Sequence, residues 1–209
     1  MKAFVVMGRV FKAAYEELFI CIYMSVLWWI GTVLVVTAAP ATAGLFRVTN
    51  RIANYKRVDS SFFWEGAKFQ IGRTWLLFIL ALGIPVAIAF NSYFYINLES
   101  WVRILGIFFL WLFVVAVMVG QYLFPLFWQQ DEPDFKLIFR NAAILALKYP
   151  VYTFLMLLFQ LLLLVLSVLL TLPLVLLAPA LIALTANFAL CGLLQEMGLA
   201  PEPPVISGT

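Results

Sequence analysis

Four cations in the first third of the chain are the side chains best suited to bind another molecule. Arg47 and Arg51 share one face of an amphipathic helix, predicted over residues 43–55, with Asn50 and Asn54. Cations on such a face contact headgroups at a membrane surface. We therefore interpret the four as a basic interfacial face, with docking to an acidic protein surface as the alternative. The four residues are Arg47, Arg51, Lys56 and Arg57.

Two glutamines lie within long uncharged runs of the chain. Gln121 and Gln160 are the most costly of these polar residues to expose to lipid, so both should face protein. We predict that they make hydrogen bonds between helices. The alternative is a polar path for an uncharged solute, which would require Gln121 and Gln160 to converge with Asn91 and Thr171 on a cavity.

The residue types that most enzymes use are missing from the sequence. The chain has no histidine, and the interiors of the predicted spans contain no Asp, Glu, Lys or Arg. Cys21 and Cys191 are far apart in apolar runs and have no metal-binding or redox spacing. We therefore predict no enzymatic activity, no cofactor, and no catalytic or metal site. The formal net charge of +3 is too small to indicate nucleic-acid binding.

Long apolar runs must position these polar residues. The chain is 66% hydrophobic and only 11% charged, against roughly 25% charged in soluble domains. Val151–Leu194 holds 44 residues without a charge, about twice the length of one span. We expect it to divide near Pro173 and Pro179, with a single kinked helix as the alternative. The sequence predicts one all-α domain over 1–209, a polytopic transmembrane helical bundle. Its spans are 18–39, 74–90, 104–128, 151–172 and 176–195.

Amphipathic helices should connect several of these spans on the cytoplasmic side. One is the basic helix 43–55, with its apolar stripe lying on the membrane surface. A second is predicted over 62–73, where Ser60 or Ser61 is placed to cap it. A third is predicted over 134–148, with Asp134 as its cap.

The distribution of Lys and Arg predicts the orientation. Residues 41–73 contain six cations and residues 129–150 contain three, whereas 91–103 contain one. Cytoplasmic loops carry the excess of Lys and Arg, so the first two segments should be inside and the third outside. With five spans the C-terminus lies inside and the N-terminus outside. Three cations before the first span disagree with this orientation: Lys2, Arg9 and Lys12.

A Pro-Ala-Thr sequence follows the first apolar run. We expect Pro40 to end one helix and Thr42 to cap the next. Ala39-Pro40-Ala41 has an echo in Ala178-Pro179-Ala180, which leaves open an internal structural repeat. An internal repeat and a coincidental match are both compatible with a sequence so rich in small and apolar residues.

The segment around this turn resembles a bacterial family. Residues 27–53 and 62–78 are similar to the YesL-like integral membrane proteins, with Pro40, Ala41 and Thr42 as the family motif. The resemblance implies a bacterial inner-membrane location and no established activity. It also implies an accessory role in carbohydrate uptake beside an ABC transporter. Our expectation is a non-catalytic accessory or interaction protein. Its partners would be the lipid bilayer and another membrane protein or a second copy of itself. The alternative is a small oligomeric facilitator or channel for an uncharged solute.

Overall fold

A computed structural model describes residues 2–98, 101–130 and 133–200, and all regular structure within them is helical. The all-α prediction is therefore confirmed. A π-helical turn, Ile79–Gly83, joins the helices Ile71–Phe78 and Ile84–Ile96. The helices are α1 (Lys2–Glu16), α2 (Leu18–Val33), α3 (Ala38–Ala53), α4 (Ser61–Lys68), α5 (Ile71–Phe78), α6 (Ile84–Ile96), α7 (Arg103–Gln129), α8 (Phe135–Lys148), α9 (Pro150–Leu170), α10 (Leu172–Leu176) and α11 (Ala178–Glu196).

Four helical segments are long and apolar enough to cross a bilayer, which makes this a multi-pass membrane protein. A fifth candidate is the pair α1 and α2, which is bent by 89° at Glu17. The predicted span 104–128 agrees with α7 within a residue at each end. The four segments are Ile71–Ile96, Arg103–Gln129, Pro150–Leu170 and Ala178–Glu196.

The centre of the bundle is formed by α3 and α11. Of the most apolar stretch of 18 residues in α11, 72% is buried, against 17% of the corresponding stretch in Ile71–Ile96. In α3 both faces are buried: Leu45 and Val48 on one side, Ala43 and Asn50 on the other. The prediction that 43–55 lies on the membrane surface is therefore wrong. Alanine and glycine make up much of α3, and such small side chains allow neighbouring helices to approach it from several directions.

The first predicted span, 18–39, is instead the first arm of a helical hairpin. The chain turns at residues 34–37, so that α2 and α3 pack antiparallel. Trp28 Nε1 donates to Thr42 Oγ1 at 3.0 Å across the hairpin. A Cβ atom on Gly31 would come within 2.6 Å of the Ala41 Cβ, so the two helices touch where Gly31 has no side chain.

Pro40 does not end a helix, and this correction follows from its position. It is the third residue of α3, where the missing backbone N–H would have no partner within the helix. The chain reversal comes earlier, at Val35, whose φ is 51°. Thr42 is not a cap either, because its Oγ1 donates to the carbonyl of Ala38 within α3 at 2.8 Å.

The long uncharged run divides into two spans, as predicted, but its breaks lie at Thr171 and Leu177. Thr171 has a φ of 56° and ends α9, and α10 fills the connection. Pro173 and Pro179 each occupy a first turn, of α10 and α11 respectively, where proline is tolerated. Tyr152 donates to the carbonyl of Ala189 at 3.2 Å, which pairs the start of α9 with the end of α11 in a second hairpin.

The two Ala-Pro-Ala sequences lie in the first turns of neighbouring helices that run parallel. Thr49 contacts Asn187, and one turn further Asn54 contacts Cys191, which sets the common direction of α3 and α11. A residue with positive φ lies in the connection before each helix: Val35 before α3, and Thr171, which precedes α10, before α11. The sequence echo thus coincides with two helical hairpins of similar construction.

The predicted interfacial helix 62–73 is interrupted. It ends at Lys68, and Gln70 adopts a left-handed φ of 43°, so that the second span begins at Ile71 rather than residue 74. The cap also differs from the prediction, because Asp59 Oδ1 accepts from the Ser60 hydroxyl and the Ser61 N–H. These two hydrogen bonds favour the charged carboxylate and lower the pKa of Asp59.

The predicted helix 134–148 matches α8. Asp134 Oδ1 accepts from the backbone N–H of Lys136 at 3.1 Å, as expected of a capping residue. Its inward residues Ile138, Ala142 and Leu145 are buried.

Candidate functional site

A polar pocket of about 710 Å³ opens where the C-terminal halves of α3 and α4 meet the end of α7. We call it the basic pocket. Its volume is within the range of about 300–1,000 Å³ typical of small-molecule sites. Three of the four predicted interfacial cations line it, and the fourth, Arg57, is not part of the lining. The lining residues are Arg47, Asn50, Arg51, Asn54, Lys56, Glu65, Lys68, Phe69, Phe127, Trp128, Gln129 and Gln130.

Close contact between α3 and α4 forms one wall of this pocket. A Cβ atom on Gly66 would come within 2.8 Å of the Arg47 Cβ and 2.9 Å of the Gly44 Cα. One on Gly44 would come within 2.5 Å of the Phe63 carbonyl. The two glycines therefore allow α4 to lie directly on α3. This brings Lys68 and Glu65 beside the arginines of α3.

Aromatic rings and one backbone carbonyl hold the two arginines. The Arg51 guanidinium lies 3.6 Å from the centre of the Phe62 ring, and its Nε donates to the Arg57 carbonyl at 3.0 Å. The Arg47 guanidinium lies 4.8 Å from the centre of the Trp128 ring. Trp128 is itself fixed by a hydrogen bond of 3.1 Å from Nε1 to the Ala43 carbonyl. Both guanidiniums are thus positioned without being neutralised by any described residue.

The pocket carries an excess of positive charge. Of its described lining, Arg47, Arg51, Lys56 and Lys68 are cations and only Glu65 is an anion. No described carboxylate lies within 4.0 Å of these four cations, and the ion pair of Lys12 with Glu16 lies elsewhere. The field in the pocket therefore favours an anion.

Carboxamides form the floor of the pocket and connect it to the bundle core. Asn50 Nδ2 donates to Asn187 Oδ1 at 3.2 Å and approaches Gln129 Oε1 at 3.4 Å. Asn187, fully buried in α11, donates to Thr49 Oγ1 at 2.9 Å. Asn54 Nδ2 donates to the Asn50 carbonyl at 2.8 Å. These bonds join three helices below the cations.

The sequence predicts Asn187 only as one of the few polar residues of the spans that should make hydrogen bonds between helices, and it does not predict a role for Gln129. Asn187 lies within an apolar run, so the rule applied to Gln121 and Gln160 applies to it too, whereas Gln129 ends such a run beside Gln130. Nothing in the sequence around Gly44 and Gly66 predicts the contact between α3 and α4. Burial also raises the pKa of Tyr55, which lies just beyond the pocket at the end of α3.

The structure brings Gln121 and Gln160 together. Gln160 is 9% exposed, and its Nε2 lies 3.4 Å from Gln121 Oε1. Gln121 Nε2 in turn donates to the carbonyl of Thr153 at 3.3 Å, so the pair links α7 to α9. The other two residues of the predicted path lie apart from this pair. Asn91 is exposed and donates to the Ala87 carbonyl, and Thr171 is exposed at the end of α9.

Pro40, Ala41 and Thr42, the predicted family motif, lie at the start of α3 in the α2–α3 hairpin and do not line the basic pocket. Ala41 and Thr42 make its contacts to Gly31 and Trp28. Cys21 and Cys191 are buried, unpaired thiols. Among the described residues, no group of three His, Cys, Asp or Glu is placed to hold a metal ion.

No family model, curated protein or solved structure matches this chain. The resemblance to the YesL-like family therefore stays a prediction. Function has to be argued from the site and the surfaces themselves.

Proposed function

We propose that this chain is a non-catalytic accessory protein of a bacterial inner membrane that acts by binding another membrane protein. The observation that carries the proposal is the hairpin formed by α6 and the first half of α7, which packs mainly on itself. Its outer surfaces are apolar and exposed over both helices. The exposed large residues there include Val86, Phe90, Phe94, Ile104, Ile107, Phe108 and Trp111.

Several direct contacts join the two helices of this hairpin to each other. Ser92 Oγ donates to the carbonyl of Gly106 at 2.9 Å, and the rings of Tyr95 and Phe109 stack with centroids 5.4 Å apart. A Cβ atom on Gly106 would come within 2.7 Å of the Ile96 backbone nitrogen, so the two helices are in backbone contact. A preformed apolar surface of this kind is suited to pack against a transmembrane helix of a partner.

The resemblance to the YesL-like family supports a particular partner. It favours the membrane subunits of an ABC transporter for carbohydrate uptake, with a second copy of this chain as the other candidate. The facilitator hypothesis receives no such support, because Asn91 and Thr171 do not join Gln121 and Gln160 on a cavity.

Site-specific photo-crosslinking in native membranes tests the proposal. A photoreactive residue is introduced at Phe108 or Trp111, which are 60% and 69% exposed, and at Leu169 of α9 as the matched control, 74% exposed. We expect a discrete protein adduct from the α7 positions and lipid adducts from Leu169. Lipid adducts alone at all three positions would refute a partner on this hairpin.

A further inference from the structure

We propose that the basic pocket is a binding site for a phosphate ester. This inference is independent of the accessory role, because the site is complete within one chain and lies away from the α6–α7 hairpin. The side chains that would contact the ligand belong to the lining described above.

The charge of the pocket selects the ligand class. Four cations and one carboxylate converge on one cavity in the described lining. A single carboxylate ligand would leave most of this charge unbalanced. A phosphate group carries one to two negative charges and several acceptor oxygens, so one ligand group can engage more than one cation.

The orientation of Arg51 points to the same class. Its Nε is used by the Arg57 carbonyl, and one face of its guanidinium is covered by Phe62. Its terminal nitrogens make no hydrogen bond to any described residue, so they are left to donate as a pair. Such a planar fork matches two oxygens of a phosphate.

Arg47 and Arg51 are one helical turn apart on α3, so their side chains reach the pocket side by side. Aromatic contacts already restrict both guanidiniums, which lowers the entropy cost of binding. The bonds from Asn50 to Asn187 and to Gln129 fix the floor beneath them. The pocket is therefore preorganised for an anion rather than assembled around it.

Gln130 indicates that the ligand should also carry a hydrogen-bond donor. Its Oε1 is buried and has no hydrogen-bond partner among the described residues. An acceptor beside a phosphate would be satisfied by a hydroxyl of the esterified alcohol. Glycerol phosphate has this chemistry, both as a lipid headgroup and as a soluble molecule.

The test uses the full-length protein in an uncharged detergent, with two arms. In the first, native mass spectrometry compares retention of phosphatidylglycerol with that of diacylglycerol, which lacks the phosphate. In the second, calorimetry measures binding of glycerol 3-phosphate, with succinate as the competing dicarboxylate. The variants are R47Q/R51Q and, as a matched control on α8, R140Q, which removes one exposed cation outside the pocket.

We expect binding in at least one arm, weakened at least about tenfold by R47Q/R51Q and unchanged by R140Q. Binding in the first arm alone assigns the site to a lipid headgroup, and binding in the second alone assigns it to a soluble phosphate ester. Binding in neither arm, equal binding by R47Q/R51Q, or equally strong binding of succinate would overturn the proposal.

A second variant separates loss of binding from loss of folding. R47K/R51K keeps both charges but removes the forked donors, so its fold should be retained and its affinity several-fold lower. Equal affinity in R47K/R51K would refute the role of the guanidinium forks. If the photoreactive residue at Phe108 gives no protein adduct while phosphate binding is intact, that result counts against the accessory role alone.

Discussion

Asn50 and Asn187 are joined by a hydrogen bond of 3.2 Å that connects the floor of the basic pocket to the centre of the bundle. Asn187 is fully buried, and its own Nδ2 donates both to Thr49 Oγ1 and to the Ala183 carbonyl. One buried amide therefore links the two parallel central helices. Its loss would leave Asn50 and Thr49 each short of a partner.

Replacing Asn187 by Leu should lower the free energy of unfolding by about 1–2 kcal/mol, since hydrogen bonds between membrane helices average about 0.6 and reach about 1.7 kcal/mol, and two are lost. Unfolding in mixed micelles of increasing sodium dodecyl sulfate content measures the change. Asn91→Leu is the control, because Asn91 is exposed and bonds only within its own helix. Equal stability of the two variants would contradict a structural role for Asn187.

The Gln121–Gln160 pair should be worth a similar amount. We expect Gln160→Leu to destabilise the protein by roughly 0.6–2 kcal/mol, because Gln121 Oε1 then loses its donor in an apolar setting. The double variant Gln121→Leu/Gln160→Leu should cost less than the sum of the single variants. Strict additivity in this double-mutant cycle would show that the two amides do not interact.

The contact between α3 and α4 gives a third prediction. Gly66→Ala should destabilise the protein by about 1–3 kcal/mol, because the added methyl group meets Arg47 Cβ at 2.8 Å and the α3 backbone at 2.9 Å. It should also weaken phosphate binding, since α4 carries Lys68. Gly72→Ala is the matched control, with no atom within 4 Å of its new methyl group. A thermal midpoint equal in both variants would contradict the close packing.

Some of these features follow from sequence patterns and others do not. The four spans between Ile71 and Glu196 were predictable because a long charge-free run favours a helix that crosses the lipid. Gln121 and Gln160 were predictable as contact residues because amides in such runs need partners. The α3 helix was misplaced because Leu45, Val48 and Ile52 form an apolar stripe that suggests a surface helix, whereas the burial of its opposite face depends on α11, more than 120 residues away.

The reversal between α2 and α3 was hidden for a related reason. The run 18–39 has the length of a span, and neither Val35 nor its neighbours are residues that typically reverse a chain. The hairpin depends instead on Gly31 and Ala41, whose small size is informative only once the two helices are side by side. Pro40 correctly indicates a boundary between two helices, but it lies in the first turn of α3 and does not end α2. Proline begins helices as readily as it ends them.

This hairpin changes the predicted position of the N-terminus, and the change can be measured. Because α3 runs antiparallel to α2, it brings the chain back to the end of the bundle where α2 begins. The helix α1 and the segment after Ala53 therefore lie at the same end. Arg9 and Glu16 of α1 are close enough to Tyr55 to influence its pKa. If residues 54–70 are cytoplasmic, the N-terminus is cytoplasmic too. Lys2, Arg9 and Lys12 then obey the same charge rule as the other loops, and Arg103 becomes the single cation assigned to the outside.

Single cysteines introduced at Lys12, Ser60 and Asn97, in a background with Cys21 and Cys191 replaced by Ala, test this topology with a membrane-impermeant maleimide. All three introduced positions are exposed, unlike Ser92, which is buried against Gly106. In intact cells we expect labelling at Asn97 alone, and in inverted vesicles labelling at Lys12 and Ser60. Labelling of Lys12 and Ser60 from opposite sides would contradict the α2–α3 hairpin, because its two ends cannot then share one face of the membrane. Labelling of both from outside would keep the hairpin and reverse the orientation, which would place the basic pocket on the outer face.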